Sequence, residues 1–163
     1  MTLDKYIFKY LYGIGLKNKK LVKHIAKFLP LFFIAIYSFG IIYVAIFKNT
    51  NIIKFIFVPL FTLLSVSIIR KLVKRKRPFE KIPNIEPIIH HENGESFPSR
   101  HTVSSVIISM AFIYINPQIG IIMLIISFFV GLSRIMAGVH YPSDVLSGII
   151  YSIIIGYVGF FII

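Results

Sequence analysis

Long apolar runs separated by short polar turns make up most of the sequence. Predominantly apolar stretches cover 28–47, 52–69, 119–135 and 142–163. Each is close to the roughly 20 residues that a helix needs to cross a bilayer. A shorter apolar stretch covers 101–115. The pattern predicts an all-α protein, a polytopic membrane helix bundle with about five transmembrane helices.

The N-terminal segment 1–27 follows a different pattern. Apolar residues recur there at helical spacing, at Leu3, Ile7, Leu11 and Ile14. Asp4, Lys5 and Lys9 fall on another face, and further lysines follow. An apolar stripe beside basic residues is typical of a helix that lies in the membrane interface. We therefore predict an N-terminal amphipathic interfacial helix, interrupted at Gly13 and Gly15.

Prolines modify two predicted spans and the longest predicted loop. Pro30 falls in the first turn of the span 28–47, where proline is tolerated, and Pro59 is expected to kink the second span. The loop over 78–98 is proline-rich, and loops of this length often cover binding sites. We expect residues 1–163 to form a single membrane-embedded domain with this loop over its site.

Composition supports a membrane protein and narrows the chemistry. The chain is 56% hydrophobic and its mean hydropathy is +0.82. The net charge of +12 is explained by basic residues that flank membrane spans and face anionic lipid, so it does not indicate nucleic acid. The absence of cysteine excludes disulfides, thiolate metal sites and cysteine nucleophiles.

Charged residues near the ends of the spans converge on one membrane face. The loops after the second and the fourth spans lie on the same side, and the third span starts from that side. This face therefore holds Arg77, His101, Arg134, His140 and Asp144. Ionisable side chains at membrane depth are costly, so their convergence indicates a functional site.

The residue types in this group favour phosphoryl transfer. A carboxylate at Asp144 can fix the tautomer of His140, which leaves the other ring nitrogen as a nucleophile or base. His101, at a helix start, can protonate a leaving group. The planar forks of Arg77 and Arg134 suit phosphate oxygens. The combination predicts phosphoryl transfer through a phosphohistidine, with no cofactor.

A metal ion is not required for this chemistry. The carboxylates are too few for a magnesium or two-metal site, since Asp144 already has a partner and the glutamates lie in one loop. The backbone N–H groups that follow Ser99 at a helix start favour an anion. We therefore predict no metal site.

Three stretches resemble the signature motifs of the type 2 phosphatidic acid phosphatase superfamily, which are integral-membrane lipid phosphate phosphatases. The third motif is matched by Ser133, Arg134, His140 and Asp144. The second is matched by Pro98-Ser99-Arg100-His101, in which Arg100 replaces a glycine. The first ends at Arg77-Pro78, and its lysine is replaced by Arg70, with Lys71 or Lys74 as alternatives.

The resemblance implies a role for each matching residue. His140 is the nucleophile, Asp144 orients it, and His101 is the general acid. The phosphate-binding residues that it implies are Arg70, Lys71, Arg77, Ser99 and Arg134. The chain size and the run 95–99 are similar to those of bacterial undecaprenyl-diphosphate phosphatases, which recycle the lipid carrier of cell-wall synthesis.

This likeness implies an enzyme of the bacterial plasma membrane that acts on a lipid phosphate or diphosphate, with undecaprenyl diphosphate as the first choice. Phosphatidylglycerophosphate, phosphatidate and diacylglycerol diphosphate are alternatives. A non-catalytic protein that binds anionic lipids is a further alternative, and the short membrane-embedded chain disfavours a vanadium haloperoxidase. The lysine-rich N-terminus predicts a cytoplasmic site, whereas the resemblance predicts an outward-facing one.

Overall fold

The computed structural model describes residues 2–48, 51–90 and 93–163. Asn49 and Thr50, in the turn after the first predicted span, and His91 and Glu92, in the 78–98 loop, lie outside the described residues. The helices are α1 (Leu3–Lys17), α2 (Lys19–Phe47), α3 (Ile52–Val73), α4 (Pro78–Lys81), α5 (Arg100–Ile115), α6 (Pro117–Met136) and α7 (Pro142–Tyr157). A π-helical turn, Val158–Ile162, continues α7.

Four helices in the described ranges are long and apolar enough to cross a membrane. They are α2 with 29 residues, α3 with 22, α6 with 20, and α7 with its π-helical end, 21 residues together. The predicted span 101–115 is α5, which has only 16 residues and is about 24 Å long. The hydrocarbon core is about 30 Å thick. The all-helical architecture is confirmed, with four rather than five helices of transmembrane length.

The short helix α5 lies inside the bundle. It packs against α2, α3, α6 and α7, and every residue from Ser105 to Phe112 is buried. The hydroxyls of Ser105 and Ser109 donate to backbone carbonyls of the same helix, so these buried polar groups are satisfied. Because neighbouring helices pack around α5, the middle of this helix is buried in protein.

Prolines inside two helices free carbonyl groups that other helices then use. A proline cannot donate to the carbonyl of the residue four positions before it. Pro30 lies well inside α2, not in a first turn, because the helix begins at Lys19. The carbonyl of Ala26 instead accepts a hydrogen bond of 2.5 Å from Arg134 Nη2 of α6.

The same arrangement recurs in α3. Pro59 lies inside this helix, and the carbonyl of Phe55 accepts a hydrogen bond of 2.8 Å from the Tyr37 hydroxyl of α2. Each proline therefore costs one bond within its own helix and gains a bond to a neighbouring one. In membranes such replacement partners make helix prolines tolerable.

The predicted segment 1–27 is divided between two helices. α1 ends at Lys17, and the residue that follows, Asn18, has a non-helical backbone before α2 begins. The predicted interruption at Gly13 and Gly15 is wrong, since α1 runs through both glycines. At Gly15 a side chain would collide with the backbone of Met136 in α6, so this glycine serves close helix packing.

Helix α1 packs on the bundle through a face different from the predicted apolar stripe. The buried residues are Phe8, Tyr12 and Gly15, and the Phe8 ring stacks on Tyr12 and tilts against Tyr141. Leu3 of the predicted stripe is 73% exposed. This orientation turns Asp4 towards the start of α7, where it contacts Ser143.

Candidate active site

The turn between α6 and α7 carries the central histidine. Gly138 has a φ of +83°, a left-handed conformation that glycine adopts without strain, and a side chain there would press on the Tyr12 ring. The turn places His140 directly before α7, and its side chain is only 1% exposed. Asp144, in the first turn of α7, is fully buried.

The neighbours of His140 distinguish its two ring nitrogens. Arg77 Nη1 lies 3.4 Å from Nε2. Because a guanidinium can only donate, Nε2 must be the ring nitrogen without a proton. Nδ1 lies 3.5 Å from Asp144 Oδ2 as an ion-pair contact and has no hydrogen-bond partner in the described part of the chain. The geometry therefore selects the tautomer with the proton on Nδ1.

Burial keeps His140 neutral. Desolvation lowers the pKa of His140 to about 4, although Asp144 acts in the opposite direction. At pH 5 about nine-tenths of such a group is neutral, compared with about 3% of an ordinary histidine. The neutral imidazole of His140 therefore persists in mildly acidic solution.

We expect this neutrality to appear in the pH dependence of catalysis. The acid limb of kcat/KM, which reports groups of the free enzyme, should fall below pH ~5 rather than near the ordinary histidine pKa of about 6.5. The sign follows from the lowered pKa, since protonation that inactivates Nε2 occurs only at lower pH. Initial rates between pH 4 and 8 would measure the limb, and a midpoint near 6.5 would contradict a neutral His140.

Arg77 is held beside the histidine by the short helix α4. Its backbone N–H donates to Glu80 Oε2 at 2.9 Å, and its Nη1 donates to the Val139 carbonyl at 3.1 Å. Burial lowers the pKa of Arg77 to about 10, so the guanidinium stays charged at neutral pH. A fixed cation thus adjoins the nitrogen that would attack phosphorus.

Arg70 occupies the position inferred for the first-motif lysine. It is buried, and it donates to the Pro98 carbonyl at 2.8 Å and to the Glu95 carbonyl. Lys71 and Lys74 are exposed and do not join this group. The structure therefore brings Arg70, but not the two lysines, to the residues around His140.

Ser99 and Arg134 connect the site to three helices. The Ser99 N–H donates to the Asp144 carbonyl at 3.0 Å, which ties the start of α5 to α7. Arg134 accepts from the Val139 N–H through its carbonyl, and its side chain bonds to Ala26 of α2. Among the described residues, the buried Nε atoms of Arg77 and Arg134 have no hydrogen-bond partner, so both arginines keep an unused donor there.

Two adjoining cavities meet at these residues. The polar one, of about 500 Å³, is lined among others by Arg70, Arg77, Arg100, His101, Arg134 and His140. The second, of about 520 Å³, lies between α2 and α5 and is mostly apolar, with Phe33 and Ile34 in its wall. His101, at the start of α5, and Arg134 line both. One ligand could therefore place a charged headgroup in the first cavity and an apolar chain in the second.

Sequence reasoning missed two residues of this region, Arg75 and Asp4. Arg75 Nη1 lies 2.7 Å from Asp144 Oδ1, and its Nη2 lies 2.7 Å from Asp4 Oδ2. The sequence held one indication that Asp4 is unusual, because it is the only acidic residue before Glu80 in a strongly basic segment. Nothing separated Arg75 from the other basic residues of its cluster. In the described ranges, no three histidine, cysteine or acidic side chains are grouped as they would be to hold a metal ion.

The sequence model of the PAP2 superfamily matches residues 51–163, from the start of α3 to the end of the chain. This match covers more than half of the chain and includes all three motifs, so the chain belongs to the PAP2 superfamily. The predicted family is confirmed. The protein is a multi-pass membrane hydrolase of phosphate esters.

Two curated relatives and two solved structures are similar to this chain. The undecaprenyl-diphosphatase BcrC of Bacillus subtilis is 32% identical over 158 residues, which cover 94% of this chain and 81% of that protein. A lipid A 1-phosphatase of Rhizobium johnstonii is 28% identical over 99 residues, 58% of this chain and 41% of that protein.

The structural relatives have the same fold. A PAP2 type phosphatidylglycerolphosphate phosphatase from Bacillus subtilis has a TM-score of 0.68 at 21% identity, over 96% of this chain and 82% of its own. LpxE of Aquifex aeolicus has a TM-score of 0.65 at 24% identity, over 88% of this chain and 93% of its own.

Proposed function

We propose that this protein removes the terminal phosphate of a lipid diphosphate, undecaprenyl diphosphate first, through a phosphohistidine on His140. The observation that carries the proposal is the pair of joined cavities, one with His140 Nε2 beside Arg77 and the other apolar. The similarity to an undecaprenyl-diphosphatase over nearly the whole chain supports the substrate.

The proposed reaction has two steps. His140 Nε2 attacks the terminal phosphorus, a nitrogen–phosphorus bond forms, and the bond to the bridging oxygen breaks while His101 gives that oxygen a proton. Water then attacks phosphorus, the nitrogen–phosphorus bond breaks, and His101 takes the proton of the water. Arg70, Arg77 and Arg134 would stabilise the charge that spreads over the phosphoryl oxygens in both steps.

The roles of the flanking residues follow from their positions. Asp144 would hold the Nδ1 proton and stabilise the imidazolium that forms when Nε2 attacks. Ser99 is buried, and its backbone hydrogen bond to the Asp144 carbonyl would fix the first turn of α5. Lys71 is exposed and does not line the polar cavity, so we assign the phosphate contacts to Arg70, Arg77 and Arg134 instead.

Phosphate release by the purified protein in detergent tests the proposal. The substrates would be undecaprenyl diphosphate, phosphatidylglycerophosphate, phosphatidate and diacylglycerol diphosphate, with a chelator present throughout. We expect the fastest release from undecaprenyl diphosphate and inhibition by vanadate, which mimics the transferring phosphoryl group. Faster turnover of another lipid would reassign the substrate, and binding of lipid without release from any would favour the non-catalytic alternative.

Two lysines of α2 are placed to select diphosphates over monophosphates. Lys23 and Lys27 are exposed side chains one turn apart at the wall of the apolar cavity, where the second phosphate of a diphosphate would lie. Replacing both with glutamine should raise KM for a lipid diphosphate about 3- to 10-fold and change KM for a monophosphate little.

The matched control is the double replacement of Lys19 and Lys20 with glutamine. These lysines lie on the same helix and do not line the apolar cavity; they line a cavity beside Tyr12 that also includes Lys23. If both double variants had the same effect, or if KM for mono- and diphosphate rose equally, the lysines would act only through general attraction of anionic lipid.

The N-terminal helix fits an interfacial position. Its outward side chains include Leu3, Tyr6 and Tyr10, all more than 60% exposed. An apolar, tyrosine-bearing face of this kind suits the boundary between headgroups and acyl chains. We therefore propose that α1 lies on the bilayer and that residues 1–163 act as one catalytic unit.

A further inference from the structure

We propose that Arg75 and Asp4 are positioning residues for the catalytic aspartate, so that the N-terminal helix completes the active site. The proposal rests on the phosphatase function proposed above, since it concerns the aspartate that orients the nucleophile. Asp4 lies outside residues 51–163, the part that the superfamily model matches. The contribution of α1 is therefore not part of the three family motifs.

Arg75 supplies the direct ion pair of the buried aspartate. Asp144 is fully buried, and its Oδ1 accepts a hydrogen bond of 2.7 Å from Arg75 Nη1. Its Oδ2 accepts from the Tyr141 N–H at 2.8 Å and faces His140. A buried carboxylate needs a paired cation to stay ionised. Arg75 both provides this charge and leaves the second oxygen turned towards His140 Nδ1.

Asp4 holds Arg75 in place from the opposite side. Arg75 Nη2 donates to Asp4 Oδ2 at 2.7 Å, while Nη1 also donates to Ser143 Oγ at 2.7 Å. Asp4 in turn accepts from the Ser143 N–H at 3.0 Å and from its hydroxyl at 2.7 Å. The carboxylate thus satisfies a free N–H at the start of α7, a favourable position for an anion.

Aromatic contact fixes the plane of the guanidinium. The Arg75 guanidinium lies 4.3 Å from the centre of the Tyr141 ring, and Tyr141 in turn packs against Phe8 of α1. The planar guanidinium stacks on an aromatic ring and donates to two carboxylates at once. A lysine ammonium could not make all of these contacts in the same geometry. The arrangement connects α1, the end of α3 and the start of α7 at one charged group.

Several charged groups surround Asp144. Arg75 faces it from the end of α3, and His140 faces it from the turn before α7. Asp4 lies beyond Arg75 on α1. Arg70 and Arg77 interact with it electrostatically. Replacing Arg75 with alanine would leave Asp144 Oδ1 without the cation that lies 2.7 Å away. It would also remove a positive charge from the surroundings of His140, so His140 should be protonated at a higher pH.

The test compares Arg75→Ala, Arg75→Lys and Asp4→Asn by phosphate release from a lipid diphosphate between pH 5 and 8. We expect Arg75→Ala to lower kcat roughly 10- to 100-fold with little change in KM, and to move the acid limb to higher pH. Arg75→Lys should restore the acid limb but only part of kcat. Asp4→Asn should lower kcat about 3- to 5-fold, as expected for a partly exposed ion pair.

Lys76→Gln and Glu86→Gln are the matched controls, since both remove an exposed charge outside this network. A fall of kcat in Arg75→Ala with an unmoved acid limb would show a structural role only and would overturn the proposal. Wild-type kcat in either Arg75→Ala or Asp4→Asn would overturn it as well.

A second measurement separates this proposal from the phosphatase function. Nitrogen-15 chemical shifts of histidine report the tautomer of His140, whose signal is assigned by its loss in His140→Ala. We expect the Nδ1–H tautomer in the wild type and a mixture in Arg75→Ala. This result would support positioning by Arg75 even if no lipid were hydrolysed, whereas identical spectra would refute it even in an active enzyme.

Discussion

Phosphate release is expected to be abolished when His140 is replaced by alanine. Its Nε2 is the ring nitrogen with a free lone pair, it adjoins Arg77, and the ring stays neutral in a buried site. Removing a covalent nucleophile typically costs several orders of magnitude in kcat, on the order of 10⁴ or more. Single-turnover assays with ³²P-labelled lipid diphosphate would measure the residual rate and would trap any phosphoprotein.

The control for this variant is His24→Ala. His24 is exposed on α2, and its ring Nδ1 contacts the Lys20 carbonyl, so its removal should leave turnover unchanged. If ³²P labels the wild-type protein and His24→Ala but not His140→Ala, the phosphohistidine is established. Turnover in His140→Ala at the wild-type rate would refute the mechanism.

The second large effect is expected for His101→Gln, and its size should depend on the leaving group. His101 lines both cavities at the start of α5, where the bridging oxygen of a substrate would lie. General acid catalysis contributes about 10²- to 10⁴-fold. A lipid monoester, whose leaving group is an alkoxide, should show this full loss, whereas a diphosphate, whose leaving group is a phosphate, should lose much less.

Measuring kcat for a monoester, a diphosphate and an aryl phosphate in wild type and His101→Gln tests this dependence. The aryl phosphate, with the best leaving group, is the internal control and should be affected least. An equal loss for all three substrates would contradict general acid catalysis, since a residue that only binds phosphate would affect them alike. His24→Gln serves as the unaffected histidine variant.

Much of the fold follows from local pattern, and the exceptions have specific causes. Hydropathy predicted the four helices of transmembrane length because each keeps an apolar run of sufficient length. The hydropathy pattern also predicted that α5 is a membrane span, because a helix enclosed by other helices is as apolar as one that faces lipid. The start of α2 at Lys19 was missed for a related reason, since lysines near a helix end can extend into the interface.

The candidate site was predictable where its residues lie within one motif. His140 and Asp144 adjoin each other because they flank the first turn of α7. The choice between Arg70 and its neighbouring lysines could not be predicted from the sequence, because it depends on where α3 ends and which way its last turn faces. Lys74, in a left-handed conformation with φ of 49°, ends that helix, which leaves Arg70 inside and turns Arg75 towards Asp144.

The order of apolar and polar residues alone determines that this chain is a helical membrane protein, and the spacing of its motifs indicates the superfamily, since both are local properties of the sequence. Only the tertiary structure decides which side chains share a cavity and which carboxylates share a cation. Asp4 and Asp144 are joined through Arg75 because α1 packs its Phe8 face against the bundle. Such contacts depend on the packing of distant helices, which no local pattern records.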